Sequence, residues 1–193
     1  MRRFSFRPAL TIKGRKSFGV RGFSGKPFHP PLTDVPVGAY TIAAAADVLS
    51  WLGGDASWAH SLYRAGTVSL IGGALVSLFA ALTGYFDWSR STQKGTQVRR
   101  TVNAHAWTMI ATTVVVLIDI AVRLSNGDAH STPIACVVLS VLAFVLVAIG
   151  GTLGGSLVYD YGFNVRTAGD SPAWHPSEED LMPGQRPKPA ESS

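Results

Sequence analysis

Two histidines stand out among the groups that could do chemistry. His29 lies among prolines just before an apolar run that opens at Val35, and His105 opens another such run. Asp87 closes a third, and Tyr159, Asp160 and Tyr161 close a fourth. Two imidazoles on different helices at matching depth are the minimum set for axial ligation of a haem iron, and Gly154 and Gly155 would give a macrocycle room. A quinone headgroup, accepting from His and Tyr donors, would use the same residues without iron. The plainer reading is that each imidazole bonds to backbone or to a carboxylate, His29 with Asp34 or Asp87 for instance, and needs no metal beyond a haem iron at His29 and His105 if there is one. A zinc or di-metal site fits less well. No His pair stands at i, i+4, no Cys is near, and the nearby carboxylates are Asp34, Asp87 and Asp160.

Asp47 and Asp119 form a second group, toward the other ends of their apolar runs. Arg123 follows Asp119 by one helical turn, so a local ion pair accounts for it, whereas Asp47 has no such neighbour. A proton or cation path joining these carboxylates to the histidines is the transport alternative. His60, His130 and His175 fall in loops or the tail. No nucleophile–base order, phosphate loop or dinucleotide fingerprint occurs. Gly-Gly-Thr-Leu-Gly-Gly at 150–155 sits inside an apolar run, where missing side chains let helices approach closely.

The elements that must hold these groups are membrane helices. Of 193 residues, 47% are apolar and only 15% charged, against about 25% charged in an ordinary soluble protein. Four stretches reach the roughly 18 to 20 apolar residues needed to cross a hydrocarbon core of about 30 Å: about 35–52, 65–86, 104–122 and 134–159. Eight of the 17 Lys/Arg precede position 27, four lie between Asp87 and Asn103, and three lie in the tail. Only Arg64 and Arg123 are counted with the other two connections, whose short loops run from Gly53 to Ser61 and from Leu124 to Thr132. Positive charge is retained in the cytoplasm, so both termini and the central loop are expected there. The expected fold is an all-α, up-down-up-down four-helix bundle over 27–165. A basic arm (1–26) with interleaved Phe4, Phe6, Phe18 and Phe23 suits adhesion to anionic membrane lipids better than contact with nucleic acid. The tail (166–193), rich in Pro, Ser and acid, reads as a flexible end or a partner strip. One cysteine, Cys136, excludes an internal disulfide or thiolate cluster.

Four ordered blocks carry a resemblance: Gly25–Tyr40 around Pro-Phe-His-Pro-Pro, Ala81–Trp88 with Thr-Gly-Tyr-Phe-Asp-Trp, Asn103-Ala-His105, and Gly150–Val165. Over about 25–165 the chain resembles a bacterial membrane family, domain of unknown function 2231. The matching positions are His29, Pro30, Asp34, Pro36, Gly38, Gly84, Asp87, His105, Gly154, Gly155, Tyr159 and Gly162. The resemblance implies a four-helix protein of the bacterial inner (plasma) membrane. Some relatives, notably in actinobacteria, are fused to or encoded near Rieske-type ferredoxin domains, which implies a redox-associated module with a respiratory-chain or other redox partner. The Cys and His pairs of a Rieske centre are absent here, so a partner or a haem would have to carry electrons, with haem b or quinone expected at His29, His105, Asp87, Asp34, Tyr159, Gly154 and Gly155. The alternative is a non-catalytic anchor or assembly scaffold for a partner protein or respiratory complex.

Overall fold

The computed structural model describes residues 27–165, and the expectations for the arm and the tail lie outside the described residues. Four α-helices follow one another: α1 His29–Gly53, α2 Ser57–Ser91, α3 Gln97–Ser125 and α4 Ile134–Tyr159. Each is long and apolar enough to span a membrane. At 1.5 Å per residue, even the 25 residues of α1 reach about 37 Å, more than a hydrocarbon core requires.

Three helix starts differ from the sequence expectation, each for a local reason. α1 begins at His29 rather than near Val35, because Pro30 and Pro31 occupy the first turn, where a missing N–H costs nothing. Pro36 then lies inside the helix and is buried. His29 therefore belongs to α1 itself rather than to a segment before it. α2 begins at Ser57, which shortens the first connection to residues 54–56, with Gly54 turning the chain at φ 53°. α3 begins at Gln97, a full turn and more before the apolar run, because the Thr96 hydroxyl caps it by accepting from the Arg99 amide at 3.2 Å. Charged and polar first and last turns thus extend helices whose apolar middles alone are visible to hydropathy.

The helices form a ring. α1 packs on α2 and α4, α3 packs on α4 and α2, and α1 and α3 lie on one diagonal. The core joins Tyr40, Ala43, Leu70, Val116, Ala143 and Val147. Many large apolar side chains, among them Ile42, Leu75, Phe79, Leu117 and Val138, are exposed, as expected where the outer surface meets lipid instead of water. Threonines on these helices return their hydroxyls to the carbonyl one turn back, as Thr112 does to Thr108 at 2.9 Å, which satisfies those donors within the helix. The α2–α3 seam is the loosest. A cavity of about 150 Å³ opens there between Ile71, Ala74, Leu75, Thr113 and Ile120.

Candidate functional site

Alternating helix direction brings the start of α1, the end of α2, the start of α3 and the end of α4 to one end of the bundle, where the two histidines meet. The ring centres of His29 and His105 are 6.4 Å apart, with their planes at 90°. Each ring is fixed by the neighbouring helix. His29 Nδ1 lies 2.9 Å from the Ala80 carbonyl of α2, and His105 Nδ1 lies 2.8 Å from the Gly150 carbonyl of α4. A carbonyl can only accept, so each Nδ1 carries the proton and donates it. In a neutral imidazole this leaves a lone pair on Nε2. The Thr83 hydroxyl stands 3.4 Å from His29 Nδ1 and itself donates to the Ala80 and Phe79 carbonyls, which keeps it from competing as a donor.

The glycines beside the rings are steric requirements. A Cβ on Gly84 would lie 2.8 Å from His29 Cε1, and a Cβ on Gly154 would lie 3.4 Å from His105 Cε1. Gly84 stands one turn beyond the carbonyl that holds His29, and Gly154 one turn beyond the carbonyl that holds His105. Gly150 is close-packed as well, against the Met109 sulfur, while Gly151 opens to empty space. The Gly-Gly repeat is thus used at i and i+4, on the single helix face turned to α3.

Of the other expected site residues, Asp87 is buried, two turns beyond Ala80 on the same side of α2. Asp34 and Tyr159 are exposed, and a Cβ on Gly155 would meet only Tyr159. At 100° per residue, Asp34 is turned about 140° from His29, and Tyr159 equally far from Gly154, so neither shares the face that carries the rings. Asn103 does act at this end. Its side-chain carbonyl accepts from the Trp88 indole at 2.8 Å, and Arg99 lies 3.8 Å over the Trp88 ring, which clamps the end of α2 to the start of α3. Thr83 carries no signal in the sequence, and Gly84 is marked only by the family resemblance: nothing in their spacing shows that His29 lands on them.

The opposite half of the bundle holds a second cluster, and here one expectation needs correction. Arg123 is not part of an outer connection. It lies inside α3 with a fully buried side chain, and it bonds to Asp47 as well as to Asp119. Its Nε donates to Asp119 Oδ1 at 2.9 Å and its Nη1 to Asp47 Oδ1 and Thr67 Oγ1 at 3.1 Å each, while its Nη2 bonds to Asp47 Oδ2 and reaches Asp119 Oδ2 at 3.3 Å. All five guanidinium donors are therefore used. Thr132 adds a 3.2 Å bond to Asp47 from the chain entering α4. Asp47, which has no partner on its own helix, finds one across the diagonal. Removing either member would strand a buried charge, at a cost of about 3–5 kcal/mol.

Among the described residues, no group of three or more His, Cys, Asp or Glu side chains is placed to hold a bare metal ion. The histidine pair offers two side chains, fewer than such a group requires.

The fold and its apolar exterior define a multi-pass membrane protein whose polar groups gather at the two ends of a four-helix bundle. The family model of DUF2231, described as a predicted membrane protein, matches residues 25–167, and the chain belongs to that family. No curated protein and no solved structure matches it.

Proposed function

We propose that the bundle is a redox module that holds a haem of b type between His29 and His105, in the inner membrane of a bacterium with both chain ends in the cytoplasm. The observation that carries this reading is the spacing of two imidazoles whose Nδ1 atoms are already spoken for. A metal about 2 Å from each Nε2, with about 1 Å from each nitrogen to its ring centre, would separate the centres by about 6 Å. The observed 6.4 Å lies close to that value. Nδ1–H bonded to a backbone carbonyl is the usual outer partner of a metal-bound imidazole, since it sets the tautomer and orients the ring. The residues present fit such a group in their chemistry: two imidazoles on different helices, each with Nδ1 bonded to a backbone carbonyl, so that Nε2 is the nitrogen left to ligate.

Haem supplies one-electron chemistry when bound. His29 and His105 would be the residues that hold it, and ligation by two imidazoles would favour passing electrons over binding oxygen. A quinone bridging the same two rings is favoured less by the distance. Two hydrogen bonds of about 2.8 Å, plus the two ring offsets, already need about 8 Å before the quinone's own width is counted. The anchor or scaffold reading draws on the same two carbonyl bonds, which would clamp α1 to α2 and α3 to α4 without any ligand.

Purification in mild detergent from cells supplied with haem precursor separates these readings. A Soret band that shifts on dithionite reduction and is lost in both His29→Ala and His105→Ala is the expected result. A colourless wild-type preparation overturns the haem reading and leaves the clamp. Orientation is tested by reporters fused at Ser193 and inserted at Gly95. Both should report cytoplasm, as the Lys/Arg distribution implies, and an external signal at either refutes it.

A further inference from the structure

The buried positions of the four helices recur at fixed offsets. Asp47 and Arg123 are 76 residues apart, and the same step carries Pro36 to Thr112, Tyr40 to Val116, and Ala43 to Asp119, all of them buried. It also carries His29 to His105. Between α2 and α4 a second constant step carries Gly66 to Cys136, Leu70 to Ser140, Gly73 to Ala143, Ala80 to Gly150 and Asp87 to Leu157, again all buried. Contacts follow the same correspondence. His29 bonds to Ala80, and His105 bonds to the counterpart of Ala80. Gly84 clears the His29 ring, and its counterpart Gly154 clears the His105 ring.

We infer that the bundle is two copies of one helical hairpin, α1–α2 and α3–α4, related by a two-fold axis along the bundle, and that the histidine site is two equivalent half-sites meeting on that axis. Residues related by a two-fold can touch one another only beside the axis. Two such pairs do so at opposite ends: the His29 and His105 rings at 6.4 Å, and Asp47 with Arg123 in an ion pair. Between them, Tyr40 and Val116 share the central core. Residue identity hardly survives across the correspondence. What recurs is size, burial and the direction of each contact, which is what packing constrains.

The symmetry is broken at the loose seam. The counterpart of Ala74, which lines the α2–α3 cavity, is Phe144 on α4, so the position carries a ring in one hairpin and only a methyl group in the other. The charge on the axis is broken too, as Asp against Arg, which keeps either hairpin from pairing with a copy of itself because like charges would then be buried face to face.

Each half-site consists of a histidine, a carbonyl on the next helix that holds its Nδ1, and a glycine one turn on. The ligand class follows: a group presenting the same face to both halves, as a metal with two opposed open positions does. This last step rests on the haem reading, whereas the two-fold itself rests on helix geometry alone.

The test uses the full chain with Cys136→Ala, labelled with nitroxides at lipid-facing positions. One sample carries Ile42→Cys with Val138→Cys, and a second carries the symmetry-related pair Ile118→Cys with Val68→Cys; all four native residues are exposed. Double electron–electron resonance should give coinciding distance distributions for the two samples. Mean distances that differ by more than the widths of the distributions overturn the two-fold. A colourless protein with coinciding distances would defeat only the haem reading.

Discussion

Replacing Gly84 by alanine places one methyl group where the structure has no room for it. The new Cβ would stand 2.8 Å from His29 Cε1 and 3.1 Å from Nδ1, against about 3.5–4.0 Å for carbon atoms at rest. The imidazole must retreat by about 0.7 Å or more, yet Nδ1 is held at 2.9 Å by the Ala80 carbonyl. Stretching that bond toward 3.5 Å removes most of its worth, about 1 kcal/mol net, and overpacking adds about 1–3 kcal/mol. A total of about 2–4 kcal/mol follows. The matched substitution Gly154→Ala brings its Cβ to 3.4 Å from His105 Cε1, a gap that a few tenths of an ångström of movement restores, so its cost should stay below about 1 kcal/mol. Thermal unfolding in detergent, followed by tryptophan fluorescence, ranks the two variants without reference to any ligand. Gly84→Ala should melt clearly below wild type and Gly154→Ala close to it. Equal melting of Gly84→Ala and wild type would mean that the ring is not pinned between glycine and carbonyl, and the geometry of the site would fall with it.

The buried ion cluster gives a second expectation. Arg123→Leu leaves Asp47 and Asp119 without their shared cation and should cost about 3–5 kcal/mol, visible as loss of the monodisperse peak in size-exclusion chromatography. Exchanging the pair as Asp47→Arg with Arg123→Asp should recover much of that loss, because positions equivalent about the axis let the longer side chain reach across from either one; no recovery over the single Asp47→Arg variant argues against that equivalence.

The membrane class of the chain and its number of spans were legible from hydropathy, because apolar runs of about 20 residues have no other stable environment. The pairing of the histidines at one end also followed, since alternating helices return every second terminus to the same side. Helix ends were less legible. Gln97–Asn103 and Ser57–Arg64 are polar turns whose helicity comes from a cap and from continuation of an established helix, and a hydropathy window cannot see either. Asp34 and Tyr159 were grouped with the histidines by depth alone, and depth says nothing about the face of a helix.

Sequence alone determined that four apolar segments must lie side by side and that cations crowd particular connections, since composition and length decide those outcomes residue by residue. Tertiary structure alone decided which groups touch. Arg123 reads as the neighbour of Asp119 and becomes the partner of Asp47 as well, Gly84 reads as a matching position of the family with no contact assigned and becomes the floor beneath His29, and a two-fold correspondence emerges that shares almost no residue identities. The physical reason is that contact depends on helix rotation and inter-helix spacing, and these are set by all four packed surfaces together rather than by any one segment.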